Sequence, residues 1–151
     1  MPDSILDRVQ KEMTSAMKAR EAETLSTLRM LKAALMEAKI AKLNAPLSPE
    51  EEIEIVSRYE KKRRETIEEC KKAGRADLAA KEEHEIAVVR RFLPEPLDEA
   101  GVREAVARVI AATGASGPRD MGKVMGALMK ELKGRAGGEL VSRLVKESLS
   151  G

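Results

Sequence analysis

Histidine, cysteine and closely paired carboxylates carry most acid–base, nucleophilic and metal chemistry in proteins. This chain has one histidine and one cysteine. His84 sits among Glu82, Glu83 and Glu85 on a strongly charged stretch, where a surface histidine is the expectation. Cys70 has Lys71 and Lys72 beside it, and nearby cations favour a thiolate. It also falls on the apolar stripe Ile53, Val56, Tyr59, Ile67, which predicts a packed, inert thiol. No His/Cys spacing suits a metal, so neither a metal site nor a cofactor is expected. Carboxylates are abundant, and Glu50-Glu51-Glu52 is explained by the electrostatics of a helix start. No catalytic residue is assigned.

Gly117-Pro118-Arg119-Asp120-Met121-Gly122-Lys123-Val124 has the glycine and lysine spacing of a phosphate-binding P-loop. Val124 stands where a hydroxyl should hold magnesium, and the segment follows a helix end rather than a strand. The motif therefore fails in its context. A different use of the same residues is open. Gly122 and Gly126 are four apart, so on a helix they share one face and leave it nearly bare. Arg119 and Lys123 lie at one end of that face, and Lys130, Lys133 and Arg135 beyond the other. Such a face suits an anionic backbone. It equally suits tight helix–helix packing with solvated lysines around it. No aromatic is near for base stacking, so binding there would read shape and phosphate. Lys61-Lys62-Arg63-Arg64 is a second basic cluster, flanked by Glu60, Glu65, Glu68 and Glu69. Ion pairing along the helix is its default role and phosphate contact the alternative.

The elements that must position these residues are all helical. Of the 151 residues, 36% are charged and 42% hydrophobic, but only 1% are aromatic, namely Tyr59 and Phe92. An aliphatic, Met-containing set mixed with Glu, Lys and Arg favours helix over strand. Ile5, Leu6, Val9, Met13 and Met17 recur at helical spacing from a start at Asp3 or Ser4. The polar stretch 18–23 is expected to bend or break the helix. Leu25, Leu28, Leu31 and Leu35 continue the period until Asn44-Ala45-Pro46. Ser48-Pro49-Glu50-Glu51 is a capping box with proline at the first helical position. Its helix should reach Gly74, and without large apolar side chains from Glu60 to Thr66 it either protrudes or buries only Lys and Arg stems. Leu78, Ile86, Val89, Phe92 and Leu93 mark a fourth helix.

Pro94-Glu95-Pro96 ends that pattern and divides the chain into a long-helix part (1–96) and a tail (97–151). Three short amphipathic helices are expected in the tail, a small bundle. They begin at Asp98, at Ser116-Gly117-Pro118 and at Gly137-Gly138, and the first two close at Gly114 and Gly134. From Asp98 onward nine basic residues face seven acidic ones, so the net charge of +2 resides there. The opening Met1-Pro2-Asp3-Ser4 resembles neither a signal nor a transit peptide. No apolar run approaches the ~20 residues of a membrane span. A lone cysteine suits a reducing compartment, and a cytoplasmic location is expected.

The run from Asp120 to Met129 (DMGKVMGALM), followed by Leu132-Lys133-Gly134-Arg135-Ala136, resembles the tail domain shared by YqeY proteins and GatB, a subunit of the glutamine-dependent tRNA amidotransferase. Further stretches resemble YqeY specifically: 27–34 (TLRMLKAA), 61–65 (KKRRE), 73–78 (AGRADL) and 92–97 (FLPEPL). The resemblance spans nearly the whole chain in order. It implies an all-helical bacterial protein lacking GatB's catalytic part, with a tail similar to the region that helps hold tRNA. Lys130 departs from the YqeY pattern, where proline is usual, and resembles GatB. Gly137 departs where aspartate is usual and removes a cap from the last helix.

Three functions follow as expectations. The first is a tRNA-binding accessory protein, related to amidotransferase, contacting phosphates through Arg119, Lys123, Lys130, Lys133 and Arg135. The second is an adaptor that docks a protein partner in tRNA metabolism. The third and weakest is a free-standing carbon–nitrogen ligase using glutamine, since no nucleotide, glutaminase or metal site is evident. Oligomeric state is not specified by the sequence.

Overall fold

A computed structural model describes residues 3–150. Met1 and Pro2, part of the opening that resembles no signal peptide, and Gly151 lie outside the described residues. The described chain forms α1 (Ile5–Lys18), α2 (Ala22–Ala41), α3 (Pro49–Lys72), α4 (Ala76–Arg90), α5 (Glu99–Thr113), α6 (Met121–Glu131) and α7 (Gly138–Ser150). A 3-10 turn at Pro118–Asp120 leads into α6, and no strand occurs among the described residues. The expected all-α fold is therefore observed. Contacts divide the chain into Met1–Pro94 and Glu95–Gly151.

In the first unit the polar stretch after Lys18 breaks the helix outright. Arg20 adopts a left-handed backbone, φ 58°, and the Glu21 N–H reaches back to the Ala16 carbonyl at 2.9 Å. This is the helix stop that glycine usually provides. A similar stop ends α2, where Leu43 and Asn44 both have positive φ, 56° and 65°. The Asn44 N–H bonds the Lys39 carbonyl at 3.0 Å. The capping box of α3 is complete: the Ser48 hydroxyl accepts the Glu51 N–H, and the Glu51 carboxylate accepts the Ser48 N–H. Gly74, at φ 71°, follows the end of α3.

The core of this unit gathers Ile5, Val9 and Ala16 of α1, Leu28, Leu31 and Leu35 of α2, Val56 of α3, and Val88, Val89, Phe92 and Leu93 at the end of α4 and just beyond. Beyond Glu60 the α3–α4 hairpin thins. From Lys61 to Ala87 the buried residues are Ile67 and Ala79. Polar groups fill the interval: Arg63 is partly buried, while Lys61, Lys62, Arg64 and Glu65 remain exposed.

The tail unit is the expected three-helix bundle. Val102, Ala105, Val106 and Val109 of α5, Val124 and Leu128 of α6 with Leu132 just after it, and Val141, Leu144, Val145 and Leu149 of α7 form one aliphatic cluster. Asp98 caps α5 by accepting the Gly101 N–H at 2.8 Å. Gly114, φ 69°, closes it.

Candidate nucleic-acid interface

α6 is short, and its burial is one-sided. Val124 and Leu128 are fully buried. Two residues along a helix is about 200° of rotation, so Gly122 and Gly126 fall on the outward side. Both are exposed, and a Cβ built on either would meet nothing within 4 Å. Within the tail unit, then, this bare face packs against nothing. Met125 and Met129 border it on one flank, partly buried against the core. Lys123 and Lys130 border it on the other, and Arg119 stands a turn earlier in the 3-10 segment.

The five cations predicted to line this face differ in what they already hold. Arg119 and Lys130 are exposed and lie on no carboxylate among the described residues. Lys123 is exposed and only touches the Thr113 carbonyl, at 3.3 Å. Lys133 is partly buried and already engaged. Arg135 is committed to the fold. Its Nε donates to the Glu95 carbonyl at 3.0 Å, and its own carbonyl takes the Leu97 N–H at 2.8 Å. It ties the extended entry of the tail to the segment after α6. By contrast, the arginines on α5 and α7 face carboxylates. Arg103 pairs with Glu147 at 3.2 Å, Arg108 with Glu131, and Arg143 with Glu99 and Glu147. Among the described residues of the tail, three cations without an ion pair, Arg119, Lys123 and Lys130, thus lie beside the glycine face, and exposed Lys146 on α7 is a fourth.

The Lys61–Arg64 cluster is divided by the fold. Arg64 bonds Glu60 through two nitrogens, at 2.9 and 2.6 Å, and Arg90 approaches the same carboxylate at 2.9 Å. Arg63 turns toward α4, lying 3.6 Å from Glu82 and 4.0 Å from Glu85 with its guanidinium 5.2 Å from the centre of the Tyr59 ring. Lys61 and Lys62 alone of the four stay exposed without such partners. Helical periodicity places residues on faces, but it does not say which face a neighbouring helix will cover.

His84 lies 3.9 Å from Glu23 on the wall of a cleft of about 210 Å³, with Ser26, Thr27, Lys81 and Glu85 also lining it. No hydroxyl is hydrogen-bonded to the imidazole among the described residues; Thr27 donates to the Glu23 carbonyl instead. Cys70 is a half-buried free thiol. No group of three metal-ligating side chains occurs among the described residues, and no described helix is long and apolar enough to cross a membrane.

Sequence reasoning missed Glu52. It is 3% exposed and leaves its own helix to accept the Ile5 and Leu6 N–H groups at the start of α1. A run of three glutamates at a helix start gave no sign that one of them would serve another helix.

Fold and site together define a two-unit helical protein whose tail presents a bare, cation-flanked helix face. The chain belongs to the YqeY-like family, whose description, Yqey-like protein, matches residues 6–149. It is 29% identical over 147 residues, 95% of this chain and 80% of the relative, to the altered inheritance of mitochondria protein 41, mitochondrial, of Pyrenophora tritici-repentis. An uncharacterized protein of Schizosaccharomyces pombe is 36% identical over 89 residues, 58% of this chain and 70% of that protein.

Proposed function

We propose that this protein binds structured RNA, with tRNA as the ligand, through the outer face of α6, and acts as an accessory to tRNA-linked chemistry such as amidotransfer. The observation that carries this reading is the open Gly122/Gly126 face beside Arg119, Lys123 and Lys130, cations without carboxylate partners among the described residues. A phosphate backbone can approach a helix without side chains more closely than any other, and nearby ammonium and guanidinium groups then release its counterions. The wide, shallow minor groove of A-form RNA offers phosphates and 2′-hydroxyls to such a surface. Cytosol is the proposed compartment, resting on the single reduced cysteine. A mitochondrial location, the one in the name of the Pyrenophora relative, would suit the same chemistry.

Binding of purified protein to total tRNA across a salt series tests the reading. The informative variant is Arg119/Lys123/Lys130→Ala, since Arg135 holds the fold. Removing three phosphate contacts should flatten the slope of log K against log salt by on the order of one per cation. A Lys61/Lys62→Ala control should leave the slope unchanged. No binding at low salt would favour the adaptor instead. That second reading rests on exposed apolar side chains of the first unit, Met17, Met30, Ile40 and Leu43, the last 92% exposed.

A further inference from the structure

Between α3 and α4 the fold leaves an unusual polar layer, independent of any role in RNA binding. Arg63 faces Glu82 and Glu85 at 3.6 and 4.0 Å, and all three side chains are no more than 18% exposed. Tyr59 lies under the guanidinium. Four polar atoms in this layer are buried and lack a hydrogen-bond partner: Tyr59 Oη, Arg63 Nε, Glu82 Oε2 and Glu85 Oε2. Buried polar groups in native proteins are nearly always satisfied. Two carboxylates also outnumber the one arginine between them, leaving a net negative charge where water is scarce. A single proton between the carboxyls pairs the two orphaned carboxylate oxygens, while the Arg63 Nε–H and the Tyr59 hydroxyl keep their unmet bonds. The proton also brings the layer to neutrality.

We propose that a proton shared by Glu82 and Glu85, opposite Arg63 and Tyr59, is a latch that closes the outer part of the α3–α4 hairpin. Position gives the layer this leverage. It separates the main core from a hairpin end in which only Ile67 and Ala79 are buried. Further out, Lys71 and Glu83 approach only at 3.9 Å, and both are more than half exposed. With so little apolar burial beyond it, the outer hairpin depends on the layer to stay paired. The cleft lined by Glu85, His84 and Lys81 of α4 and by Glu23, Ser26 and Thr27 of α2 reaches the layer from solvent, so the proton can exchange.

The charged groups around Glu85 act in opposing directions. Burial raises its carboxyl above the ordinary range first, followed by the hydrogen bond and charge of Glu82. Arg63 and Lys81 pull it down. Burial, then the Glu85 charge, also raises Tyr59. For a carboxyl raised on folding, the stabilisation is complete below its unfolded value and is lost as pH rises through the folded one. The latch therefore closes at low pH and loosens as pH rises through the raised carboxyl's folded value.

Hydrogen exchange of the full-length protein, corrected for intrinsic chemistry, tests this between about pH 5 and about pH 8. Protection of residues 64–83 should fall severalfold, on the order of tenfold at most, as pH rises. Glu85→Gln, whose amide supplies a permanent donor, should stay protected with a flat profile. His84→Gln should keep the pH dependence, because the imidazole is paired outside the layer with Glu23. A flat wild-type profile, an unchanged profile in Glu85→Gln, or loss of the dependence in His84→Gln would each overturn the latch. Should Glu85→Gln fail to fold, carboxyl-carbon NMR titration of the wild type decides. Two widely separated steps for Glu82 and Glu85 support the shared proton, and two ordinary independent titrations refute it.

Discussion

The carboxylate of Glu52 accepts the Leu6 N–H at 2.8 Å, across 46 residues of sequence. Its other oxygen takes the Ile5 N–H at 3.1 Å, and the Ser4 hydroxyl takes the Asp7 N–H. The N–H groups that α1 cannot satisfy internally are thus met by one buried side chain and one local cap. Helix α1 is docked on α3 by its end as well as by its apolar stripe.

Glu52→Ala should therefore cost about 1–3 kcal/mol, the usual penalty for stranding buried backbone donors. Ser4→Ala should cost about 1 kcal/mol, since its site is exposed and water can replace the hydroxyl. Thermal or denaturant unfolding checks both. If Glu52→Ala proved no more costly than Ser4→Ala, the long-range cap would not be a determinant of docking.

Arg20 and Leu43 hold left-handed backbone without being glycine, at roughly 1 kcal/mol each. Leu43 is 92% exposed, so its side chain contributes little packing in return. Arg20→Gly and Leu43→Gly should each stabilise the protein by up to about 0.5–1 kcal/mol, reduced by the greater freedom of glycine in the unfolded chain. Urea midpoints should rise with unchanged m-values.

These two positions also mark where sequence reading stops. Ser48, Glu51, Asp98 and Gly114 announce helix ends because each acts locally, within three or four residues. Arg20 ends α1 with a residue type that carries no stop signal, so a bend and a break could not be told apart. The apolar stripes marked most of both cores, although Met17 and Leu78, on the stripes of α1 and α4, are exposed. Burial of charge was not legible. Glu52 and Glu60 are buried because α1 and the arginines Arg64 and Arg90 come to them, which only the tertiary fold decides. The same holds for Arg63, drawn out of an apparent basic patch by two carboxylates on the next helix. At the tail, the cations were visible but their engagements were not: nothing in the sequence separates Arg135 from its neighbours, and its bond to Glu95 exists only in the folded tail.

In the tail, Arg143 lowers the Glu99 carboxyl below its ordinary value of 4.5, chiefly by hydrogen bonding. A carboxyl lowered on folding stabilises above its unfolded value and ceases to do so as pH falls through the folded one. Acidification from that ordinary value downward should weaken the α5–α7 contact. The effect will be small because both side chains are about half exposed and solvent screens them. In Glu99→Gln this part of the acid sensitivity should vanish, measured as the difference in tail-unit hydrogen exchange between neutral buffer and buffer acidified below the ordinary carboxyl value. Equal acid sensitivity in wild type and variant would place the loss elsewhere.

Gly122 and Gly126 offer a sharper separation of fold from function. Glycine inside a helix costs about 0.8–1 kcal/mol relative to alanine, and at these positions a Cβ would meet nothing. For the fold alone, alanine is the better residue at both sites. Gly122→Ala/Gly126→Ala should consequently raise tail stability by about 1–2 kcal/mol. If α6 is approached closely by an RNA backbone, the same two methyls should weaken tRNA binding while leaving its salt slope unchanged, because no cation has been removed. Leucine at either position should abolish binding with the fold intact. Greater stability with undiminished affinity would mean that the open face is not where RNA lies, whereas reduced stability would show that another surface packs on these glycines.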